Sequence, residues 1–178
     1  MAHCIYRIPF RPALTVPSLT RGVGIIEKTE QEISRDYSVM SNIEEVFEEI
    51  NQLDHPDGRK QPLPNDAIIE RYERKTGFNF PEDYKLFLKS VSNAFVGYMS
   101  PFTLNEREEE NYGDLAVGVH EARKVGVPQD WLPICEDNGD YYCIVPDGRI
   151  RFWDHNGATE ESWPDLATWA KKVWLEGG

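Results

Sequence analysis

Residues 131–155 read Trp131-Leu132-Pro133-Ile134-Cys135-Glu136-Asp137-Asn138-Gly139-Asp140-Tyr141-Tyr142-Cys143-Ile144-Val145-Pro146-Asp147-Gly148-Arg149-Ile150-Arg151-Phe152-Trp153-Asp154-His155. Short apolar runs alternate here with turn residues, which predicts three short strands. Asn138-Gly139 is a two-residue hairpin signal, because both residues tolerate the positive φ that such a turn needs. Pro146-Asp147-Gly148 is a second turn. A period of two puts Tyr141, Cys143 and Val145 on one face and Tyr142 and Ile144 on the other. The stretch holds no nucleophile paired with a base and no phosphate-cradling loop. It reads as an aromatic-rich, acidic sheet shaped to be touched by a partner, and so as a binding module and not an enzyme.

On the N-terminal side the periodicity changes to that of helices. Ile43, Val46, Phe47, Ile50 and Leu53 follow one another at helical spacing, with Ser41 and Glu44 placed as a capping box. A second helix is expected over about 66–76, with Ile69 and Tyr72 inward and Gly77 as its stop. Phe80-Pro81-Glu82-Asp83 opens a third, whose stripe of Tyr84, Phe87, Leu88 and Val91 belongs to a core. Between 93 and 117, Phe95–Met99 and Phe102–Leu104 read as two short strands, and Asn105–Asn111 as a solvated loop. Val119–Val125 reads as a short helix closed by Gly126 and Pro128. On the C-terminal side, Ser162-Trp163-Pro164 starts a last helix carrying Leu166, Trp169, Val173 and Trp174. All five tryptophans lie from Trp131 onward. Trp169 and Trp174 fit a core stripe, whereas Trp153 is read equally well as core or as a contact anchor.

Residues 1–38 differ from the remainder of the chain. Prolines 9, 12 and 17 interrupt them, no periodicity is sustained, and Arg7, Arg11 and Arg21 precede the first acid, Glu27. They are expected to form a poorly ordered arm, with residues 40–178 as a single domain and Met40 as the natural start.

The chain has 178 residues, enough for one domain with a real core, and its 40% hydrophobic share is that of a globular protein. Thirty-one acids against 19 basic residues give a formal charge of −12. That excess repels phosphate backbones, so direct nucleic-acid binding is not expected, and it favours partners with basic surfaces. Three cysteines without a CxxC pair point to free thiols in a reducing, cytoplasmic setting. No apolar run is long enough for a membrane span.

The candidate chemistry is sparse. Asp137, Asp140, Asp154 and His155 could in principle support hydrolysis, yet each stands beside a turn, where Asx residues serve as caps. Cys135, Cys143 and His155 match no familiar zinc spacing. No catalytic, metal or cofactor residues are therefore assigned. The assigned residues are partner-binding ones: Glu136, Asp137, Asp140 and Asp154, with Glu108, Glu109 and Glu110, border an acidic face that has Tyr142 or Trp153 nearer its middle.

Three blocks in this order resemble the SUKH superfamily, the Smi/Knr-like domain. They are Ile68–Lys89, with Pro81, Asp83, Tyr84, Lys85, Phe87 and Leu88 as its signature; Trp131–Ile144 as its central hairpin; and Gly148–His155 as its strand ending in tryptophan, aspartate and histidine. The chain departs from the family pattern at Asn93-Ala94, where relatives often have Asn-Gly. The resemblance implies an α+β fold with helices packed on one twisted, mostly antiparallel sheet. It also implies a non-enzymatic role. Bacterial members are chiefly immunity proteins that bind and block toxins, often nucleases or deaminases, and eukaryotic relatives regulate cell-wall synthesis and signalling. The expected partner is thus a cognate toxin with a basic surface. A regulatory or scaffold module without a toxin is the alternative.

Overall fold

The computed structural model describes residues 30–55, 60–107 and 111–177. Its elements follow the chain as α1 (Glu30–Leu53), α2 (Asp66–Thr76), α3 (Glu82–Ser90), α4 (Leu115–Val125), β1 (Leu132–Asp137), β2 (Asp140–Ile144), β3 (Ile150–Asp154), β4 (Gly157–Trp163) and α5 (Leu166–Trp169), which runs on as a wide π-type turn over Ala170–Leu175. The strands form one antiparallel meander in the order β1-β2-β3-β4. The fold is α+β, with helices packed on a single antiparallel sheet.

The local signals that set α2 and α3 work as expected. The Asn65 side chain accepts from the Ile68 amide at 3.0 Å, and Gly77 at φ 78° closes α2. Ile69 and Tyr72 are buried, as are Tyr84, Phe87, Leu88 and Val91. Asn138 (φ 54°) and Gly139 (φ 90°) form the hairpin turn between β1 and β2.

Several expectations need correction. Helix α1 begins at Glu30 and runs through Ser41, so Ser41 is not its cap. The Glu- and Gln-rich stretch that begins there contains no proline or glycine before Leu53, and nothing in it interrupts a helix. Leu53, at the far end of the stripe, is half exposed. Residues 95–104 make no strands: only isolated bridges form, Pro101 with Cys135 and Thr103 with Asp114. Helix α4 starts four residues early because Asp114 caps it, and a fourth strand, β4, follows β3. The N-terminal arm lies outside the described residues up to Thr29, and so do residues 56–59.

The two sheet faces are covered differently. Tyr141, Cys143 and Trp153 look toward α4; a Cβ on Gly126 would sit 3.7 Å from the Trp153 ring. Tyr142, Phe152 and Trp163 look the other way, with Trp169 of α5, at ring separations of 4.7–5.6 Å from Tyr142. Beyond them Phe47, Phe87 and Trp174 join α1, α3 and the π-type turn. Gly118 in α4 lies against the Phe102 ring, and a Cβ there would stand only 2.3 Å from the ring's Cζ. A helix accepts the cost of an interior glycine only where such a close approach requires it.

The irregular segment between α3 and α4 has no strand ladder and is fastened by side chains. The Trp174 indole donates to Val96 O (3.0 Å) and Met99 O (3.2 Å). The Phe102 amide donates to Ile134 O at 2.9 Å, covering the free edge of β1. At its far end Asp114, 2% exposed, accepts from the Tyr72 hydroxyl and from Asn105 Nδ2 (2.7 Å), while its other oxygen accepts from the Ala116 (2.9 Å) and Val117 (3.3 Å) amides. The Asn105 amide donates in turn to Tyr72 Oη at 3.0 Å, and Arg71 to Asn105 O at 2.5 Å. Asn105, read as part of a solvated loop, is therefore buried in a polar network.

Replacing Asp114 by Ala removes a helix cap, leaves the buried Tyr72 hydroxyl without an acceptor and takes from Asn105 Nδ2 the shorter of its two bonds. It is expected to cost about 3 kcal/mol or more, and Tyr72→Phe about 1–2 kcal/mol, as read from urea midpoints. Equal midpoints for Asp114→Ala and the parent would refute the network. For Gly118→Ala, helix propensity alone predicts a gain of about 1 kcal/mol. Overpacking against Phe102 predicts a net loss of about 2 kcal/mol, and a more stable variant would show that the ring does not rest on Gly118.

Candidate functional site

The β1–β2 and β3–β4 turns lie at the same end of the meander, and this brings the acidic residues together. Residues opposite one another in an antiparallel pair share a face, so the hairpin register, Asp137 with Asp140, sets both on the Tyr142 side. Asp154 precedes the second turn on the same side, and Glu136, paired with Tyr141, lies on the α4 side. The four carboxylates thus ring the end of the sheet and do not occupy one flat face.

Each of them accepts at least one hydrogen bond. Glu136 accepts from the Gly139 amide (2.5 Å) and from the Tyr112 hydroxyl (2.7 Å). Asp137 accepts from Asn138 Nδ2 at 2.8 Å, and Asp154 from the Asn156 amide at 2.6 Å. Asp140 reaches across to the next turn, where it accepts from the His155 amide at 3.0 Å and lies 3.3 Å from His155 Nδ1. Of the Asx caps foreseen here, the one at Asp154 is a local bond to a backbone amide, whereas Asp137 binds a side chain and Asp140 a neighbouring turn; all four carboxylates stay partly exposed.

The aromatic half of the expected site requires correction. Tyr142 is 8% exposed and Trp153 5%, so both rings are core and neither stands at the surface. Their strand positions alternate toward helices on both sides of the sheet, and a central strand so enclosed has no exposed face to give them. Glu108, Glu109 and Glu110 lie outside the described residues.

The exposed aromatic residues beside this end come from the irregular segment. Tyr98 is 66% exposed, Tyr112 89% and Phe95 49%. Tyr98 and Tyr112 line one cleft of about 500 Å³ with Glu136, Asp137 and Asn138. The only sequence signal for them was an aromatic ring set among turn formers, as in Gly97-Tyr98 and Asn111-Tyr112-Gly113, where no periodicity could bury it.

Cys135 and Cys143 face opposite sides of the sheet, so they do not converge with His155. Burial pushes the Cys135 thiol up to about 12 and moves Cys143 the same way, which leaves both uncharged and unreactive at neutral pH. Among the described residues no cluster of three His, Cys, Asp or Glu could hold a metal ion, and no helix is long and apolar enough to cross a membrane.

A four-stranded meander with α4 on one face and the C-terminal helix on the other, ending in a ring of carboxylates, defines a small α+β domain of the Smi/Knr-like class. The chain belongs to the SUKH superfamily: the family model described as SUKH_5, SMI1-KNR4 cell-wall, matches residues 43–175. It is also similar to a solved structure, the crystal structure of a protein from Pseudomonas syringae pv. tomato, with 34% identity and a TM-score of 0.69 over 75% of this chain and 98% of that one. No curated protein matches the chain.

The tyrosines give a test of the packing around the site. Burial is the main cause that raises Tyr72, Tyr141 and Tyr142 to about 12 and Tyr84 higher still; hydrogen bonding to Glu136 raises Tyr112. A raised phenol favours the neutral form in the fold, so its contribution is intact below the unfolded value of about 10 and is lost as pH climbs through 10–12. Unfolding free energy should therefore fall over that window. Absorbance at 295 nm should show the buried phenols ionising after the exposed ones. A single ionisation step near pH 10 for all tyrosines, with near-ultraviolet dichroism intact, would contradict these burials.

Proposed function

We propose that this protein is an immunity protein, acting in the cytoplasm, that binds and neutralises a cognate polymorphic toxin of nuclease or deaminase type and catalyses no reaction itself. The observation that carries this reading is the gathering of Glu136, Asp137, Asp140 and Asp154 at one end of the sheet by two turns, in a chain with a net charge of −12. Family membership supports it, since SUKH resemblance implies toxin binding for bacterial members.

The physical mechanism is occupation of a basic cleft. An enzyme that grips nucleic acid presents cationic side chains spaced for phosphates. Carboxylates already fixed by neighbouring amides can take those places at little entropic cost. The negative field of the whole chain accelerates encounter, and tight packing at the centre of the contact slows release. A second reading, a regulatory or scaffold domain with no toxin partner, is favoured by the cell-wall description of the matching family.

Co-expression with the product of the adjacent gene separates the two. Rescue of growth together with co-purification is expected for an immunity protein; growth unaffected by that product, with no co-purification, would favour the scaffold reading. Within a rescuing pair, Asp137→Lys combined with Asp140→Lys should lower the association rate about tenfold at low salt and flatten its salt dependence. Asp137→Lys alone, which cuts no tie between turns, serves as the folding control. Undiminished protection by the double variant would exclude the acidic end as the contact.

A further inference from the structure

Tyr112 combines two properties that seldom coincide. It is 89% exposed, yet its hydroxyl is bound to Glu136 Oε2 at 2.7 Å across a sequence separation of 24 residues. Its backbone is held as well. The Asp114 amide closes a turn onto Asn111 O at 3.1 Å, the Thr103 amide donates to Gly113 O at 2.8 Å, and Gly113 at φ 98° supplies the reversal. The ring is therefore fastened at its backbone and at its hydroxyl while its faces remain open. A surface tyrosine normally loses rotamer freedom when a partner arrives; here most of that cost is met in the free protein.

The surroundings indicate what such a ring would receive. Tyr112 belongs to three adjoining clefts. One extends toward Phe95 and Asn93, one toward Tyr98, Asp137 and Asn138, and one along α4 toward Glu121 and Tyr141. Acidic side chains line two of them, namely Glu136, Asp137 and Glu121, and among the described residues no lysine, arginine or histidine lines any of the three. An aromatic face carries negative quadrupolar charge, so aromatic rings bordered by carboxylates attract a cation with an apolar stem. Arginine and lysine have that form, and arginine adds planar stacking on a ring and a forked hydrogen-bonding head for a carboxylate.

We infer that Tyr112, with Tyr98 and the carboxylates of Glu136 and Asp137, is the seat for an arginine or lysine side chain presented by a basic protein partner. This deepens the proposal above and rests on it for the nature of that partner. Tyr112 and Tyr98 thereby take the anchoring position at which Tyr142 and Trp153 were expected. The sheet end supplies charge, and the irregular segment supplies the ring on which the partner's side chain lies.

The seat can be tested without the toxin. A blocked Gly-Arg-Gly peptide is titrated at millimolar concentration into the full chain and followed by NMR on the tyrosine ring and backbone amide signals, with Gly-Glu-Gly as the control. The expected result is a saturable shift of the Tyr112 and Tyr98 rings with the arginine peptide alone, weakened about fivefold in Tyr112→Ala and reduced less in Tyr112→Phe, which keeps the ring and cuts its tether. Because Tyr112 is exposed, unchanged amide dispersion in Tyr112→Ala shows that the variant is folded. If the peptide shifts only Asp137 and Asp140, with equal affinity for Tyr112→Ala, the ring is not the seat, although the acidic end still attracts cations. No shift at any of these residues overturns the inference outright. Ring shifts in a protein that fails to rescue cells from the adjacent gene product would leave the seat standing and remove the toxin reading instead.

Discussion

The buried carboxylate of Asp114 is the contact on which the rest of this architecture depends. One oxygen gathers the Tyr72 hydroxyl of α2 and the Asn105 amide group, and the other starts α4 by accepting from two of its first amides. A carboxylate in such a position is costly to bury unless its lone pairs are filled, and here each oxygen has two donors. The outcome is a joint between two helices and a segment that has no regular structure of its own. That segment carries Tyr98 and Tyr112, so the same joint that stabilises the core also sets where the exposed rings stand.

The division of labour between core and surface follows from the sheet. Helices on both faces enclose β2 and β3, and the large rings of Tyr142, Trp153 and Trp169 fill the space between the layers. The edges are treated differently. Residues Pro101–Thr103 cover β1, while among the described residues no strand pairs with the outer edge of β4, where Glu160 and Glu161 are exposed and discourage pairing with another chain. At the end of the sheet, turns gather carboxylates whose hydrogen bonds hold them in place, beside a cleft lined by exposed tyrosines. In the function proposed above, such pre-set groups would favour electrostatic capture followed by slow release.

Much of the fold was legible residue by residue. Gly77, Pro81 and Asn138-Gly139 act through backbone geometry within a few residues, so their effect needs no tertiary context. The apolar stripes of α1 and α3 were legible because burial repeats with the helical period. Other elements were hidden for equally physical reasons. Gly118 weakened the signal for α4, and only the Phe102 ring lying on it explains a glycine there. Strand β4 is polar and lacks clear alternation, since an exposed edge strand has only to supply a ladder to its neighbour. The candidate site was half legible: the acidic residues were identified from their turns, whereas the aromatic anchors were assigned to strand positions that prove to be core.

The order of amino acids was enough to establish the α+β class, helices α2 and α3, the hairpin with its carboxylates and the acidic balance of the chain, because each of these arises from local propensity, period or composition. Which rings are buried, the meeting of α2 and α4 through Asp114, and the placing of Tyr112 over the hairpin end with its hydroxyl on Glu136 emerged only on packing. Those outcomes depend on contacts between residues distant in the chain, and nothing short of the assembled arrangement of helices, sheet and crossing segment specifies such contacts.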